Sequence, residues 1–530
     1  MTSPTISPSR RWGTLVIACL AILLLSVDLT VLHLAAPRLA EDMRPSATQF
    51  LWIADVYGFA LAGLLVTMGN IGDRIGRRRL LLFGMAAFGA ASALTAYAPT
   101  PAWLIAARAL LGVAGATIMP STLSIIRNVF TDTRERATAV GVWSSVSALG
   151  FAVGPLAGGL LLDHFWWGSV FLINVPVAAL VVVAGAFVLP ESRNPRPGRI
   201  DAMSVALSAA GVVAVIYALK TAAHDGVTGA EVWGAGAFGA AALILFVRRQ
   251  TRLAEPLIDV RLFRRRAFSG AIGANMIGVF AMLASSLTFA QYFQLVRGWS
   301  PLVSGLASLP GGLGAALGGT LASGLVMTVG RARVAALGLA MTAAGFLMYG
   351  RMDAGTGYAY LLAAMLVAST GTGLAFTVTN DTVLASVPRE RAGAASAIAE
   401  TAQEMGGALG IAVLGSVLNS VYRGRLELPS GVPPEAARQI GESLGGALET
   451  AAALPPALAG AVTGAARRTF VTAMQLTVLT AAALLALLAV AVLFALRGVP
   501  KVIPEVVLDD RGGAHPGGPE YEGRSYRSPA

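Results

Sequence analysis

Between two long apolar runs the chain reads GNIGDRIGRRRL, residues 69–80. Glycines in this segment allow a tight turn and a close approach of neighbouring backbones. Asp73 can pair with the arginines that follow it, and such an ion-pair cluster would hold neighbouring helices in one arrangement and release them in another. A positively charged anchoring loop is the simpler alternative, and both interpretations predict a short basic connection between two membrane-spanning helices. The residues expected to act in it are Gly69, Asp73, Arg74, Gly76 and Arg77.

The composition is that of a polytopic membrane protein. The chain has 530 residues, of which 55% are hydrophobic and 13% are charged, whereas soluble domains carry about 25% charged residues. A net charge of +11 could indicate a nucleic-acid partner, but the basic residues cluster in short loops between apolar runs, as topology signals do. We therefore expect a lipid bilayer and no nucleic acid as partner. One cysteine, Cys19, and four scattered histidines predict no internal disulfide and no metal site. No cofactor is expected either.

The apolar runs predict the number of membrane spans. A spanning helix needs about 20 apolar residues, and fourteen such runs occur, which places both termini on one side. The loops on that side, such as 74–79 and 248–266, are rich in arginine, so the positive-inside rule predicts cytoplasmic termini. The first run is too long for a signal peptide and is expected to be retained. The runs are 12–34, 50–70, 80–98, 102–125, 137–161, 167–189, 201–220, 229–247, 268–293, 302–327, 333–351, 357–384, 393–419 and 470–496.

Three of the segments outside these runs carry expectations of their own. Residues 1–11 are expected to form a cytoplasmic N-terminus. The outer loop 420–469 is long enough to be either functional or unstructured, and its stretch 435–453 has the composition of a short helical hairpin. Residues 497–530 are rich in glycine, proline and charge, which predicts a disordered cytoplasmic tail.

Five acidic side chains lie within the apolar runs. A carboxylate at membrane depth is costly, so it usually faces an internal cavity and marks a substrate or proton path. Glu400 and Glu404 share one helix face, and two neighbouring acids in a low dielectric resist simultaneous ionisation, which suits a proton carrier. Asp381, near the inner end of its run, is either a substrate contact or an interfacial charge. The candidate proton-coupling or substrate acids are Asp28, Asp55, Asp381, Glu400 and Glu404.

Two further features concern the fourth and fifth runs. Arg108 is the one clear base inside an apolar run, so it needs a carboxylate or a water-filled cavity, and a structural ion pair is one interpretation of it. Small residues four apart in the fifth run let helices cross closely, and a proline there removes a backbone hydrogen bond and bends the helix. Such a helix suits rocking between two states, or simply close packing. The residues concerned are Gly150, Gly154, Pro155, Gly158 and Gly159.

Four motifs resemble those of the major facilitator superfamily, and specifically its fourteen-helix drug:proton antiporter family. The 69–80 segment resembles the superfamily signature between spans 2 and 3, and LIAARALLGVAGA (104–116) resembles its span 4 motif. GFAVGPLAGG (150–159) resembles a span 5 motif largely confined to exporters. VDLTVLHLAAP (27–37) resembles the span 1 motif of the fourteen-helix family, although His33 replaces the usual Asn. Similarity to bacterial quaternary ammonium efflux pumps is carried further by segments 51–63, 118–127 and 135–144.

This resemblance, over about residues 12–500, implies an all-α integral membrane fold with 14 transmembrane helices. Two six-helix bundles, 12–190 and 268–496, would enclose a central cavity, and the two helices of 200–247 would be inserted between them. The resemblance assigns a proton-transfer role to Arg108. It also places four of the acids on positions implicated in the quaternary ammonium pumps. These acids are Asp28, Asp55, Glu400 and Glu404.

Together these features predict a proton-coupled antiporter of the cytoplasmic membrane that exports lipophilic cations, including quaternary ammonium compounds and dyes, and so confers multidrug resistance. Ala315 and Ala399 stand where some related pumps carry acids, which favours monovalent cations. A cation over an aromatic face gains about 0.5–2 kcal/mol, so aromatic side chains near the acids are candidate substrate contacts. These are Trp52, Tyr57, Trp143, Tyr292, Phe293 and Phe376.

Other functions remain as alternatives. An exporter of one specific metabolite, such as a self-made antibiotic, would use the same scaffold, because the acids favour cations without defining one. A non-transporting membrane sensor is disfavoured by the intact antiport motifs. No GxxxxGK[ST] phosphate loop and no nucleophile–base pattern occurs in the sequence, so no enzyme is expected. The expected partners are cationic small molecules and protons, and the expected oligomeric state is a monomer.

Overall fold

The computed structural model describes residues 7–193, 201–225, 229–253, 256–388, 392–501, 506–508 and 514–516. In this part of the chain the N-terminal half consists of eight α-helices. They are α1 (Pro8–Met43), α2 (Ala47–Ile75), α3 (Arg77–Ala96), α4 (Pro101–Gly115), α5 (Ile118–Val129), α6 (Thr133–His164), α7 (Ser169–Leu172) and α8 (Asn174–Val188). Local sequence sets several of these bounds. The Ser46 side chain accepts from the Gln49 amide in a capping box before α2, and α2 ends at Gly76, whose φ of 112° suits only glycine well.

Two helices follow, α9 (Ala202–Asp225) and α10 (Ala230–Gln250), and then a 3-10 helix, Val260–Arg264. The C-terminal half contains eight further α-helices, and the first continues into a π-helical turn, Tyr292–Val296. They are α11 (Arg266–Gln291), α12 (Pro301–Val329), α13 (Arg331–Tyr349), α14 (Tyr358–Ala385), α15 (Ala392–Arg425), α16 (Pro434–Glu442), α17 (Leu444–Ala452) and α18 (Pro456–Ala495).

Thirteen helical segments in the described residues are long and apolar enough to cross a membrane. They correspond to all the predicted spans except 137–161, which lies within the 32-residue helix α6. All of the candidate membrane spans are thus helical.

Each half of the molecule has its own apolar core. Leu61, Phe88 and Leu111 belong to the core of the N-terminal half, while Leu339 and Met474 belong to that of the C-terminal half. The halves meet where α6 packs on α12 and α14, and where α15 packs on α2 and α5. Helix α9 packs on both α2 and α15, and α10 packs on α9. The inserted pair therefore lies beside the contact between the two halves.

One end of the helical body collects arginines from distant parts of the chain, and we call it the basic end. Arg11 pairs with Glu135 at 2.7 Å. The next residue, Arg136, pairs with Asp381 at 2.9 Å. Asp381 also pairs with Arg331 at 2.7 Å, whose Nε donates to the carbonyl of Lys501 at 3.2 Å. The beginning of α1 and the residues after α18 therefore lie at the same end of the molecule.

Helices extend into the predicted outer loop 420–469 from both sides. Helix α15 continues to Arg425, and α18 begins at Pro456 rather than near residue 470. Proline is favoured in a first helical turn, and the alanine-rich sequence that follows Pro456 contains no further proline to end the helix. The expected hairpin segment contains α16 and α17, which pack on each other.

The C-terminal tail also differs from the expectation of a wholly disordered segment. Strands β1 (Val506–Leu508) and β2 (Ala514–Pro516) pair in antiparallel orientation. Val506 and Val507 are β-branched, and such residues favour strands. Residues 502–505, 509–513 and 517–530 of the predicted tail lie outside the described residues.

Candidate functional site

Asp28 lies in the middle of α1 and is completely buried. One carboxylate oxygen, Oδ1, accepts from Asn174 Nδ2 of α8 at 2.7 Å. The same amide nitrogen donates to Ser92 Oγ of α3 at 3.0 Å. The other oxygen, Oδ2, has no hydrogen-bond partner among the described residues. Three helices therefore hold a carboxylate that keeps one oxygen available.

Arg108 of α4 is the base that acts on Asp28 electrostatically. Its side chain is only 2% exposed, and its Nε donates to the carbonyl of Ile53 at 2.7 Å. The guanidinium carbon lies 5.2 Å from the ring centre of Tyr57 and 5.8 Å from that of Phe171. The backbone hydrogen bond and the two rings fix this cation in place.

Glu400 and Glu404 lie one turn apart on α15, as the sequence predicts. Glu400 is 3% exposed, and its Oε1 has no hydrogen-bond partner within the described part of the chain. Glu404 is partly exposed. The two acids act on each other electrostatically, and Glu404 also acts on Tyr57, as Asp28 and Arg108 do. Acids from the two halves therefore come together around Tyr57.

Asp55 of α2 forms an ion pair with Lys220 of α9, a residue that sequence reasoning missed. The Lys220 ammonium also lies 5.4 Å from the ring centre of Phe59, and it acts electrostatically on Glu404. Only two lysines occur in the chain, and Lys220 ends an apolar run. That position was a usable signal, although it is also typical of a lysine that anchors a helix at the membrane surface.

Asp381 does not join these acids. It is buried at the basic end, between Arg136 of α6 and Arg331 of α13. Since α6 belongs to the N-terminal half and α13 to the C-terminal half, this carboxylate links the two halves. Of the two interpretations left open for it, a charge at the end of the helical body agrees with this position.

The candidate aromatic residues are distributed over several places. Trp52 stacks on Tyr217 near Lys220, with ring centres 6.5 Å apart, and Tyr57 lies under Arg108. The remaining candidates do not touch the acids in the contacts described here. Trp143 is part of the N-terminal core, Tyr292 donates to the Asp353 carbonyl, Phe293 stacks on Trp299, and Phe376 lines a small cavity beside Asn275.

Comparison with known proteins decides the family. Residues 18–411 match the sequence model of the Major Facilitator Superfamily. The chain belongs to this superfamily. The multidrug efflux pump LfrA of Mycolicibacterium smegmatis is 44% identical to it over 91% of this chain and 95% of the pump. The methyl viologen resistance protein SmvA of Salmonella typhimurium is 35% identical over 92% of this chain and 98% of its own.

Two other similar proteins widen the comparison. The tetracenomycin C resistance and export protein of Streptomyces glaucescens is 30% identical over 93% of each chain. The human organic anion transporter MFSD10 (TETRAN) shares the fold, with a TM-score of 0.58, 16% identity, and coverage of 91% of this chain and 100% of that one. The protein is therefore a multi-pass membrane transporter and not an enzyme.

In this transporter the 69–80 segment joins the halves. Arg77 Nε and Nη2 donate to Asp73 Oδ1 at 2.9 and 2.7 Å, and the Ala394 amide of α15 donates to Asp73 Oδ2 at 3.3 Å. A side chain at Gly69 would meet the Gly393 carbonyl at 2.6 Å. Arg74 is exposed, whereas Arg77 is buried.

The glycines of α6 position the helix that carries Asp28. A Cβ at Gly150 would lie 2.5 Å from Ser26 Cβ, and one at Gly154 would lie 1.9 Å from Thr30 Oγ1. Gly158 and Gly159 are buried further along the same helix, which continues through Pro155. Since Ser26 and Thr30 flank Asp28, close packing of α1 on α6 fixes the position of this carboxylate.

Proposed function

We propose that this transporter is a proton-coupled antiporter that exports lipophilic cations, such as quaternary ammonium compounds and cationic dyes, across the cytoplasmic membrane. The observation that carries the proposal is Glu400, which is 3% exposed and has a carboxylate oxygen without a hydrogen-bond partner among the described residues. Its nearest charged neighbour in sequence is another acid, Glu404. A buried carboxylate of this kind is costly unless it binds a proton or a cation.

The four candidate acids differ in the charged group that lies beside each of them. Asp28 faces Arg108 and Asp55 pairs with Lys220, whereas Glu400 faces Glu404. In the proposed cycle a cation binds to the deprotonated acids from the cytoplasmic side. The halves then rock, protons enter from outside, the acids are neutralised, and the cation leaves.

The number of protons exchanged per cation decides whether the membrane potential helps to drive export. Moving one charge against 100 mV costs about 2.3 kcal/mol. One proton that returns for each monovalent cation cancels this cost and leaves the pH gradient as driving force, whereas two protons would also use the voltage. The four candidate acids, Asp28, Asp55, Glu400 and Glu404, are sufficient for either number.

We further propose fourteen spans with both termini in the cytoplasm. The contacts at the basic end, from Arg11 to Lys501, support an even number of crossings. An even number requires α6 to cross the membrane in addition to the thirteen apolar segments. The arginines at the basic end then face the cytoplasm, in agreement with the positive-inside rule.

Transport of ethidium into liposomes under an imposed pH gradient tests the function. We expect wild-type protein to accumulate ethidium and Glu400→Gln to lose gradient-driven accumulation, because a neutral amide cannot exchange a proton. The control is Glu435→Gln, at an exposed acid of α16 whose partner is Arg438 at 2.9 Å. Equal accumulation by wild type and Glu400→Gln would contradict the proposed coupling role.

Export of one specific metabolite is the second candidate. The observation that favours it is the similarity to a protein named for tetracenomycin C resistance and export. This candidate predicts that folded, correctly oriented protein leaves ethidium, and other lipophilic cations, unmoved under the same gradient.

A further inference from the structure

The site between α2 and α9 has the chemistry of a receptor for a lipophilic cation. The Asp55 carboxylate supplies the negative charge, and the ring centre of Phe59 lies 5.4 Å from the Lys220 ammonium that pairs with this carboxylate. Tyr217 extends this aromatic surface, with ring centres 6.2 Å from Phe59 and 6.5 Å from Trp52. A carboxylate beside aromatic faces is the combination that attracts an organic cation. In this structure the cation at the site is the protein's own Lys220.

The two bases near the acids differ in how firmly they are held. Arg108 is 2% exposed and donates to a backbone carbonyl. The Lys220 side chain is 32% exposed, and that of Asp55 is 26% exposed. Lysine carries its charge on a flexible four-carbon stem and its ammonium is readily hydrated. Lys220 can therefore leave the carboxylate without a change in the backbone, whereas Arg108 is held inside the protein by a backbone carbonyl.

We propose that Lys220 is a tethered cation that occupies a substrate subsite formed by Asp55 and Phe59, and that an arriving cationic substrate displaces it. This inference rests on the proposed function, because it requires the cargo to be a lipophilic cation. It gives the inserted helix α9 a direct part in transport. Lys220 also removes one negative charge from the site that Asp55 and Glu404 share, which favours monovalent over divalent cargo.

The test measures binding to purified full-length protein with two probes, the monocation tetraphenylphosphonium and the dication methyl viologen. Lys220→Met removes the tethered charge and keeps a side chain of similar length. We expect it to bind tetraphenylphosphonium about tenfold more tightly, since a substrate no longer displaces an ion pair and a cation–aromatic contact. The gain for methyl viologen should be larger, because the site then holds one more uncompensated acid.

Three further variants test whether the change in affinity comes from the Lys220–Asp55 pair. Lys220→Arg keeps the charge and should bind like wild type or more weakly. Lys220→Met combined with Asp55→Asn should lose the gain, because the carboxylate that Lys220 covered is gone. Lys501→Met removes the only other lysine, at the basic end, and should leave both affinities unchanged.

Failure of the proposed cation specificity and failure of the inference on Lys220 give different results. Wild-type protein that binds neither probe would overturn the proposed cation specificity together with this inference. The inference alone would be overturned if wild-type protein binds both probes and Lys220→Met binds them equally or more weakly. For this result to count, the variant must be monodisperse and as thermostable as wild type. In that case the Lys220–Asp55 pair holds α9 on α2 and does not compete with substrate.

Discussion

Asn174 is the residue on which the position of the Asp28 carboxylate depends. It is fully buried, and its amide nitrogen donates both to Asp28 and to Ser92. A buried polar group that loses its partner pays the cost of its desolvation without compensation. Asn174 therefore stabilises the protein and, through Asp28, positions one of the candidate coupling acids.

Replacing Asn174 with alanine is expected to lower the free energy of unfolding by about 1–3 kcal/mol, because Asp28 loses its hydrogen-bond donor inside the protein. Ethidium transport should fall as well, since the carboxylate is no longer fixed. Thermal unfolding in detergent and liposome transport measure the two effects. Ser92→Ala is the control, and its effects should be smaller because it leaves the Asn174–Asp28 bond intact. Unchanged stability and transport in Asn174→Ala would show that Asp28 needs no partner.

Single residues could be predicted from sequence only where their chemistry conflicts with their surroundings. Asp28 and Glu400 are conspicuous because an acid is costly in an apolar run. Asn174 gives a weaker signal of the same kind, and its partner is 146 positions away. Lys220 lies 165 positions from Asp55, so no local pattern could reveal that pair. Its position at the end of a run instead favoured the interpretation of a surface anchor.

Among the helices, α6 packs closely on α1 because glycines occupy the contact. Gly150 and Gly154 face α1 at the level of Ser26 and Thr30, and no side chain larger than glycine fits there without displacement. Small residues of this kind let two helices approach closely inside a membrane. The spacing of the glycines predicted this close approach, but only the structure shows that the partner is the helix with Asp28.

Gly154→Ala is expected to destabilise the protein by about 1–3 kcal/mol, because the added methyl group must push α1 away or strain its own position. Thr30→Ala removes the hydroxyl that this methyl group meets at 1.9 Å, so the double variant should recover part of the lost stability. Thermal unfolding measures both. The control is Gly273→Ala in α11, where nothing lies within 4 Å of the added carbon and no loss is expected. Equal stability of the Gly154 and Gly273 variants would contradict the packing argument.

The positions of the apolar runs were easier to predict than the lengths of the helices that contain them. Hydropathy marks where a chain crosses a membrane, but helices continue beyond the apolar run wherever the sequence still favours helix. Helix α18 begins at Pro456, well before its apolar run, because an alanine-rich stretch follows the proline. Helix α15 extends to Arg425, and the next proline after that residue is Pro429.

For the whole molecule, the decisive feature is that polar contacts join the two halves at the basic end. Arg136 pairs with Asp381, the Ala394 amide donates to Asp73, and Arg127 Nη2 donates to the Val387 carbonyl at 2.5 Å. The charge of Asp381 was evident from the sequence, but its partners lie on other helices and could not be predicted. If the halves rock during transport, these contacts must break in each cycle.

A disulfide across this end should therefore stop transport. Thr138 Oγ1 of α6 and Ser323 Oγ of α12 lie 3.4 Å apart, so cysteines at both positions need only a small shift to reach the S–S distance of about 2 Å. The variant Thr138→Cys with Ser323→Cys is made in a Cys19→Ala background, which removes the natural cysteine. Under oxidising conditions we expect ethidium transport in liposomes to fall to background, and a reductant should restore it.

The single variant Thr138→Cys separates the effect of the bond from that of the substitution, and it should transport ethidium equally well with and without oxidant. Binding adds a second readout, because a cross-link that only blocks rocking leaves Asp55, whose side chain is 26% exposed, accessible to a cation. The oxidised double variant should therefore still bind tetraphenylphosphonium while it fails to transport ethidium. Full transport by a completely cross-linked protein would mean that the basic end stays closed throughout the cycle, and rocking of the two halves would then be the wrong mechanism for this transporter.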